Sequence, residues 1–121
     1  MSIINKPSEH FETSLYTGNG GTQSISGLNF APDLTWIKTR NSGADWHRLI
    51  DSVRGVTKEL YSNAINAEST QAQSLQTFNT DGFTLGNLAE VNANTNTFAS
   101  WNFKAGGTAV SNTDGSITSS V

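Results

Sequence analysis

The sequence predicts an all-β protein built as an antiparallel β-sandwich, and two observations support that prediction. Ser, Thr and Asn contribute 15, 15 and 13 of the 121 residues, and their side chains compete for the backbone groups that a helix needs. Seven or eight short alternating runs are also separated by turn signals, with a spacing of roughly 8 to 12 residues. A helical bundle is therefore excluded, and the length suits one domain rather than two independent cores.

Four strands are predicted in the first half of the chain. Phe11–Thr17 and Gln23–Leu28 flank the turn signal Gly18–Gly21, so we expect them to form a hairpin. Leu34–Arg40 shows the clearest alternation of the chain and is predicted to be a central strand. After a loop, Trp46–Ser52 is predicted to be the next strand.

The second half begins with a short strand-like run at Thr57–Asn63. Ala64–Gln73 is polar and is predicted to be a loop. Leu75–Phe78 and Phe83–Leu85 are predicted to pair as a hairpin around Asn79–Gly82, because Asp-Gly is a signal for a type I′ turn.

The last predicted strand, Thr97–Lys104, follows the polar segment Leu88–Thr95. It places Trp101 and Phe103 on one face and smaller polar residues on the other, in alternation. We expect the aromatic face to point inward, so that Trp36, Trp101 and Phe103 form the interior of the sandwich.

Composition along the chain predicts three parts. Residues 1–9 are polar and lack a repeating apolar pattern, which predicts an N-terminal arm. Residues 10–105 hold the predicted strands and form the sandwich domain. Residues 106–121 are rich in Gly, Ser and Thr, which predicts a C-terminal connector.

Charge and hydropathy exclude several kinds of partner. The net charge is −3 and no basic run is present that could neutralise a row of phosphates, so no nucleic-acid partner is expected. No stretch of 18 apolar residues occurs, so no membrane partner is expected either. The absence of cysteine removes disulfides and thiolate ligands from consideration.

Residue patterns for catalysis and metal binding are also missing. The two histidines, His10 and His47, lie far apart without carboxylates at ligand spacing, so no metal site is expected. No Gly-x-Ser-x-Gly motif occurs, and Asp45 and Asp51 are too far apart to form a carboxylate cluster on one strand. The sequence therefore predicts no catalytic residue, no cofactor and no enzymatic activity.

Two polar segments are candidates for ligand binding. Trp46 supplies an indole on which a sugar can stack, and Arg48 supplies donors for its hydroxyl groups. Asn92, Asn94 and Asn96 alternate in a segment that could form a polar recognition loop. Each segment also has a purely structural interpretation, which for Trp46 is the preferred one: a strand start whose indole packs inward, and an Asn-rich turn that needs no ligand.

A series of motifs occurs in order along the chain: Leu15–Gly20, Thr22–Leu28, Pro32–Lys38, Asp51–Gly55, Asp81–Gly86 and Ala99–Gly107. Over about residues 10–118 this series resembles a domain that recurs in tailed bacteriophages, especially in virion surface and tail-fibre proteins of marine and cyanobacterial phages. The resemblance implies a concanavalin-A-like or laminin-G-like jelly roll. It defines no catalytic residue.

The resemblance also implies a function. We expect a non-enzymatic phage virion structural protein, made in the host cytoplasm and displayed on the virion surface as an adhesive tail fibre or a capsid decoration. Its expected partners are other virion proteins, further copies of the chain in a homo-oligomer such as a trimer, and a host surface glycan. The alternatives are a carbohydrate-binding module and a polysaccharide depolymerase. Proteins of this kind continue into another domain, so a fragment and a stand-alone decoration protein are both expected possibilities.

Overall fold

In the computed structural model, residues 9–43 and 45–105 are described in full, and residues 111–112 and 119–120 by their backbone. These residues contain eleven short β-strands and one single-turn helix. The strands are β1 (Phe11–Thr17), β2 (Gln23–Ile25), β3 (Leu34–Thr39), β4 (Arg48–Asp51), β5 (Lys58–Tyr61), β6 (Ser69–Thr70), β7 (Leu75–Asn79), β8 (Gly82–Leu85), β9 (Thr97–Phe103), β10 (Ser111–Asn112) and β11 (Ser119–Ser120), and the helix is α1 (Ala89–Asn92).

Two antiparallel sheets make up the body of the protein. The larger sheet has six strands in the order β1-β9-β3-β4-β5-β6, and the smaller has three in the order β2-β8-β7. A separate pair, β10 and β11, lies inside the predicted connector. Residues 1–8 of the predicted arm and most of the connector lie outside the described residues, so this division of the chain stays a prediction.

The hydrophobic core lies between the two sheets. Its buried members come from both sheets and from α1: Ile25, Ile37, Ile50, Leu75, Phe83, Leu85, Val91 and Phe98. Tyr16 connects the layers, because its ring stacks on Phe98 and meets the edge of Phe83, while its hydroxyl donates to the Val91 carbonyl at 2.7 Å. Burial raises the pKa of the Tyr16 hydroxyl. The predicted all-β sandwich is confirmed.

The aromatic residues of β3 and β9 face away from this core. Trp36 and Trp101 are paired across the outer face of the large sheet, with ring centroids 4.9 Å apart, and Phe103 shares that face. The opposite face of β9 is the buried one and carries Phe98 and Asn102. The prediction that Trp36, Trp101 and Phe103 form the interior is therefore wrong. Alternation defines two faces of a strand, but packing of the second sheet decides which one is covered.

The predicted hairpin between the first two strands is also wrong. β1 pairs with β9 in the large sheet, whereas β2 pairs with β8 in the small one. The turn Gly18–Gly21 therefore crosses between the sheets. Gly18 is required there, because a Cβ atom on it would lie 2.1 Å from the Ala93 carbonyl oxygen.

β7 and β8 form the predicted hairpin, but its turn is not of type I′. Asn79 pairs with Gly82, so Thr80 and Asp81 form the two-residue turn. Neither has the positive φ that a type I′ turn requires. Gly82 is needed for a different reason, since a Cβ atom on it would lie 1.7 Å from the carbonyl oxygen of Ile25 on β2.

The remaining elements agree with the predictions in most places. β3 is central in the large sheet, as predicted, and β4, β5 and β9 fall inside their predicted runs. The segment Ala64–Gln73 is irregular apart from β6. Helix α1 has no counterpart among the sequence predictions and falls inside Leu88–Thr95. No helix within the described residues has the length and hydropathy needed to cross a membrane.

Candidate ligand-binding site

A cavity of about 280 Å³ opens beside the start of β4, and we call it the Trp46 site. It is lined by Asp45, Trp46, Arg48 and Glu90. Asp45 and Trp46 lie in the loop before β4, Arg48 begins β4, and Glu90 belongs to α1. The structure thus brings the two predicted residues Trp46 and Arg48 together and adds two carboxylates to them.

Arg48 reaches this site from the interior of the sandwich. It shares the inner face of β4 with Ile50, and Glu59 and Tyr61 occupy the same face of β5. Its Nη1 donates to Glu59 Oε2 at 2.5 Å, and the two side chains are only 7% and 0% exposed. The guanidinium also lies 4.9 Å from the centre of the Tyr61 ring. Burial on this face therefore holds the cation in one position.

The buried pair keeps hydrogen-bonding capacity that the described residues do not use. Within them, Arg48 Nε and Glu59 Oε1 have no hydrogen-bond partner although both are buried. Arg48 Nη2 approaches Glu90 Oε1 at 3.6 Å, which is an ion pair but too long for a hydrogen bond. A buried polar atom without a partner costs about 1–3 kcal/mol. Arg48, the member of the pair that lines the cavity, is therefore suited to bind a polar ligand there.

Trp46 supplies the apolar wall of the site. Its indole meets the Tyr61 ring edge-on at 5.3 Å and remains 39% exposed. The interpretation in which this indole packs inward is therefore wrong. Thr39 Oγ1 fixes the preceding residue by donating to Asp45 Oδ2 at 3.0 Å, and the backbone N–H of His47 donates to Asn63 Oδ1. These bonds hold the loop on both sides of Trp46.

Asn92, a predicted site residue, is buried and anchors the chain instead. Its Nδ2 donates to the carbonyl oxygens of Gly21 and Gly86 and to Asn19 Oδ1. Its Oδ1 accepts the backbone N–H of Asn19 at 3.2 Å. The amide is thus committed to the Gly18–Gly21 turn and has no free side for a ligand.

Asn94 and Asn96 do not line the cavity either. Asn94 is exposed beside Gly20, and the Asn96 backbone carbonyl accepts the N–H of Gly18 at 2.8 Å. Thr95 between them adopts a positive φ of 68°. This geometry favours the turn interpretation of the Asn-rich segment, and the residue of α1 that lines the Trp46 site is Glu90, which precedes that segment.

Sequence reasoning missed the two glutamates of the site. A signal for Glu59 is present, because Arg48 alternates with the apolar Ile50 and an inward-facing arginine needs a buried carboxylate on a neighbouring strand. The sequence signal for Glu90 is weak. It lies between Leu88 and Val91, whose three-residue spacing is typical of neighbours on one face of a helix.

The side chains of the site can hold a ligand by stacking, hydrogen bonding and ion pairing. Among residues 9–43 and 45–105, no cluster of His, Cys, Asp or Glu could hold a metal ion. The four lining residues provide one apolar platform, one cationic donor and two anionic acceptors. Such a set matches a ligand with an apolar face and several hydroxyl or amino groups.

Comparison with known proteins gives one match. A family described as "Domain of unknown function (DUF7483)" matches residues 6–121. The matched range includes all four residues that line the Trp46 site and the whole of the predicted connector. No curated protein and no solved structure matches the chain significantly.

Proposed function

The chain belongs to the DUF7483 family, and starting from this membership we propose that it is a non-enzymatic, adhesive surface domain of a tailed-phage particle. In this proposal the Trp46 site holds a host surface glycan. The domain is part of a tail fibre or a capsid decoration, and the concanavalin-A-like or laminin-G-like type of sandwich belongs to the same proposal. The resemblance to phage surface proteins supports the setting, and the geometry of the Trp46 site supports the glycan.

The observation that carries the proposal is a partly exposed indole beside a polar cavity. Trp46 is 39% exposed and is supported from one side by Tyr61. Sugar rings carry an apolar C–H face that stacks on aromatic rings and an edge of hydroxyl groups that hydrogen-bond to charged side chains. The cavity, at about 280 Å³, is close to the lower end of the size range of ligand pockets. One sugar residue of a longer glycan is the occupant that fits this volume.

The buried ion pair supports a role in binding rather than in catalysis. Glu59 is fully buried and its Oε2 is held by Arg48 at 2.5 Å. A group fixed in this way preorganises a binding site, because its position does not change when the ligand arrives. The composition of the whole chain is compatible with display on a particle, since Ser, Thr and Asn make up 43 of the 121 residues and only 14% are charged.

A glycan array with the full chain and two variants tests the proposal. Trp46→Ala removes the platform, whereas Phe11→Ala is the matched control, because Phe11 is an aromatic residue with almost the same exposure, 40%, on β1. We expect the wild type and Phe11→Ala to bind the same glycans and Trp46→Ala to lose at least about tenfold in affinity. Equal binding by all three proteins would contradict the proposed site.

The same incubation separates binding from cleavage. Two carboxylates, Asp45 and Glu90, line one cavity, and a paired set of carboxylates is also what glycoside hydrolysis requires. We expect the bound polysaccharide to be recovered without new reducing ends. Release of reducing ends that is lost in Glu90→Gln would instead establish the polysaccharide depolymerase.

The position of the chain in a particle reconstruction tests the phage setting. Copies distributed with fivefold or sixfold symmetry over the shell would identify a capsid decoration, and copies at the tail would identify a fibre. A particle that binds its host without containing the chain would contradict a virion role. Light scattering of the isolated chain would measure the oligomer, for which a trimer is the expected state.

A further inference from the structure

The charge that faces the Trp46 site is predominantly negative. Arg48 is ion-paired with Glu59 and Glu90, and a third carboxylate, Asp45, lines the same cavity. Glu59 and Arg48 are buried together at 2.5 Å, so their charges offset each other. Glu90 is 37% exposed and meets Arg48 Nη2 only at 3.6 Å. Asp45 and Glu90 therefore dominate the electrostatic potential at the wall of the cavity.

Acidic sugars do not fit this arrangement. A carboxylated, sulfated or phosphorylated sugar would bring another negative charge close to Asp45 and Glu90. The guanidinium that would receive this charge is already paired with Glu59. Like charges at short range are unfavourable, and the effect grows where a wall is shielded from water. The site therefore discriminates against anionic glycans.

We infer that the Trp46 site selects a sugar that carries a free ammonium group, an inference that rests on the proposed function. The ammonium group pairs with the carboxylates of Asp45 and Glu90. The sugar ring lies against the Trp46 indole, whose π face also attracts a cation. The ring and hydroxyl oxygens accept hydrogen bonds from Arg48 Nη2, whose 3.6 Å contact with Glu90 Oε1 is longer than a hydrogen bond.

Two buried polar atoms without hydrogen-bond partners among the described residues support a ligand-binding role for the Trp46 site. Arg48 is 7% exposed and Glu59 is 0% exposed, yet one polar atom of each lacks a hydrogen bond among the described residues. Other buried polar side chains of the same sheet, such as Asn102, are bonded to their neighbours. Of this pair Arg48 lines the cavity, and unmet hydrogen-bonding capacity in a lining residue points to a ligand with complementary groups.

Calorimetric titration of the full chain with three tetrasaccharide probes tests the inference. The probes are a glucosamine tetramer with free amines, the N-acetylglucosamine tetramer as its neutral counterpart, and a galacturonic acid tetramer as the acidic one. At pH 6 and low salt we expect the amine tetramer to bind about tenfold more tightly than the neutral one, and the acidic tetramer to bind most weakly. Added salt should weaken only the binding of the amine tetramer.

A charge-neutral variant tests the assigned carboxylate. Glu90→Gln keeps a polar side chain but removes its charge, so the ratio of the affinities for the amine and neutral tetramers should fall from about tenfold to about twofold or less. Glu68→Gln is the matched control, because Glu68 is also 38% exposed but pairs with Arg54 away from the site. We expect Glu68→Gln to keep the full preference.

The outcomes separate the two proposals. Equal affinity for all three probes, or the tightest binding for the acidic one, would overturn the selectivity while Trp46-dependent glycan binding still stands. Trp46-dependent binding on the array with no binding of any probe would also overturn the inference alone. Probe binding that Trp46→Ala leaves unchanged would overturn both the inference and the proposed site.

Discussion

The inner face of the large sheet carries two buried polar clusters that differ in how completely they are hydrogen-bonded. On strands β1, β9 and β3, Thr35 Oγ1 donates to Asn102 Oδ1 at 2.9 Å, and Asn102 Nδ2 donates to the Glu12 carbonyl and to Ser100 Oγ. Ser100 Oγ donates in turn to the Ser14 carbonyl at 3.3 Å. This cluster is closed, because each of its side chains is bonded to another group of the chain.

The second cluster lies on β4 and β5, on the other side of Ile37 and Ile50, and it is open. Arg48 and Glu59 satisfy each other in part, but Arg48 Nε and Glu59 Oε1 are buried without partners within the described residues. It also borders the cavity, whereas the closed cluster does not. The closed network specifies how its strands pack, whereas the open network keeps unused hydrogen-bonding capacity beside the cavity.

The largest effect is expected when the open cluster loses its cation. Arg48→Met leaves the fully buried Glu59 carboxylate without a counterion, which costs about 3–5 kcal/mol of unfolding free energy. Urea unfolding followed by tryptophan fluorescence measures the loss. The double variant Arg48→Met/Glu59→Leu should recover most of it, because no buried charge remains. A loss of less than about 1 kcal/mol in the single variant would contradict the assigned burial of the pair.

A smaller effect is expected in the closed cluster. Thr35→Val removes the donor to Asn102 Oδ1, leaves a buried acceptor unsatisfied and should cost about 1–3 kcal/mol in urea unfolding. Thr13→Val, at an exposed position of β1, is the matched control and should change the stability by less than about 0.5 kcal/mol. Both variants should keep the glycan affinity of the wild type. A loss of affinity in Thr35→Val would show that the two clusters are not separate.

Tyr16 is another buried polar residue whose hydroxyl is hydrogen-bonded, and the pH dependence of the unfolding free energy tests its ionisation. Its pKa is raised in the folded state by burial, so the folded protein keeps this proton while the unfolded chain loses it above about pH 10. Stability should therefore fall by about 1.4 kcal/mol per pH unit above that point on account of this residue. Tyr16→Phe should cost about 1 kcal/mol at pH 7 and should lack this alkaline loss. Parallel slopes of the two proteins between pH 9 and 11 would rule out the assignment.

The smallest effect is expected at an ion pair on the surface. Arg54 Nη1 lies 2.9 Å from Glu68 Oε1, but the side chains are 46% and 38% exposed. Glu68→Gln should change the unfolding free energy by less than about 0.5 kcal/mol, since solvent screens such pairs. Urea midpoints measured at low and high salt check this value. An effect comparable to that of Arg48→Met would remove the distinction between buried and exposed pairs.

Local signals in the sequence predict most of the strands but not the faces they present. Alternation locates β3 and β9, and Asp-Gly locates the β7–β8 hairpin. The choice between Trp101 and Asn102 as the inward residue depends on the second sheet, which is remote in sequence. Burial of Asn102 is stable because its amide is hydrogen-bonded on both sides, and no local pattern reveals such partners.

The sequence predicts only some of the residues of the candidate site. Trp46 and Arg48 are two residues apart, so a local motif brings them to notice together. Glu90 joins them because α1 lies over the end of the large sheet, a contact between segments more than 40 positions apart. Asn92 looks like a recognition residue in the sequence, yet three of its four hydrogen bonds go to the Gly18–Gly21 turn and the fourth to the Gly86 carbonyl. Long-range contacts decide such roles.

The most direct test of the Trp46 site is an NMR titration of the uniformly ¹⁵N-labelled chain with the glucosamine tetramer. The three indole N–H signals report separate places, because Trp36 Nε1 donates to His47 Nδ1 and Trp101 packs against Trp36 on the outer face, while Trp46 borders the cavity. We expect the signals of the Trp46 indole N–H and of Arg48 Nε–H to shift together along one saturable curve, while the signal of the Trp101 indole N–H does not shift. Saturable shifts confined to Trp36 and Trp101, with Trp46 and Arg48 unchanged, would contradict it.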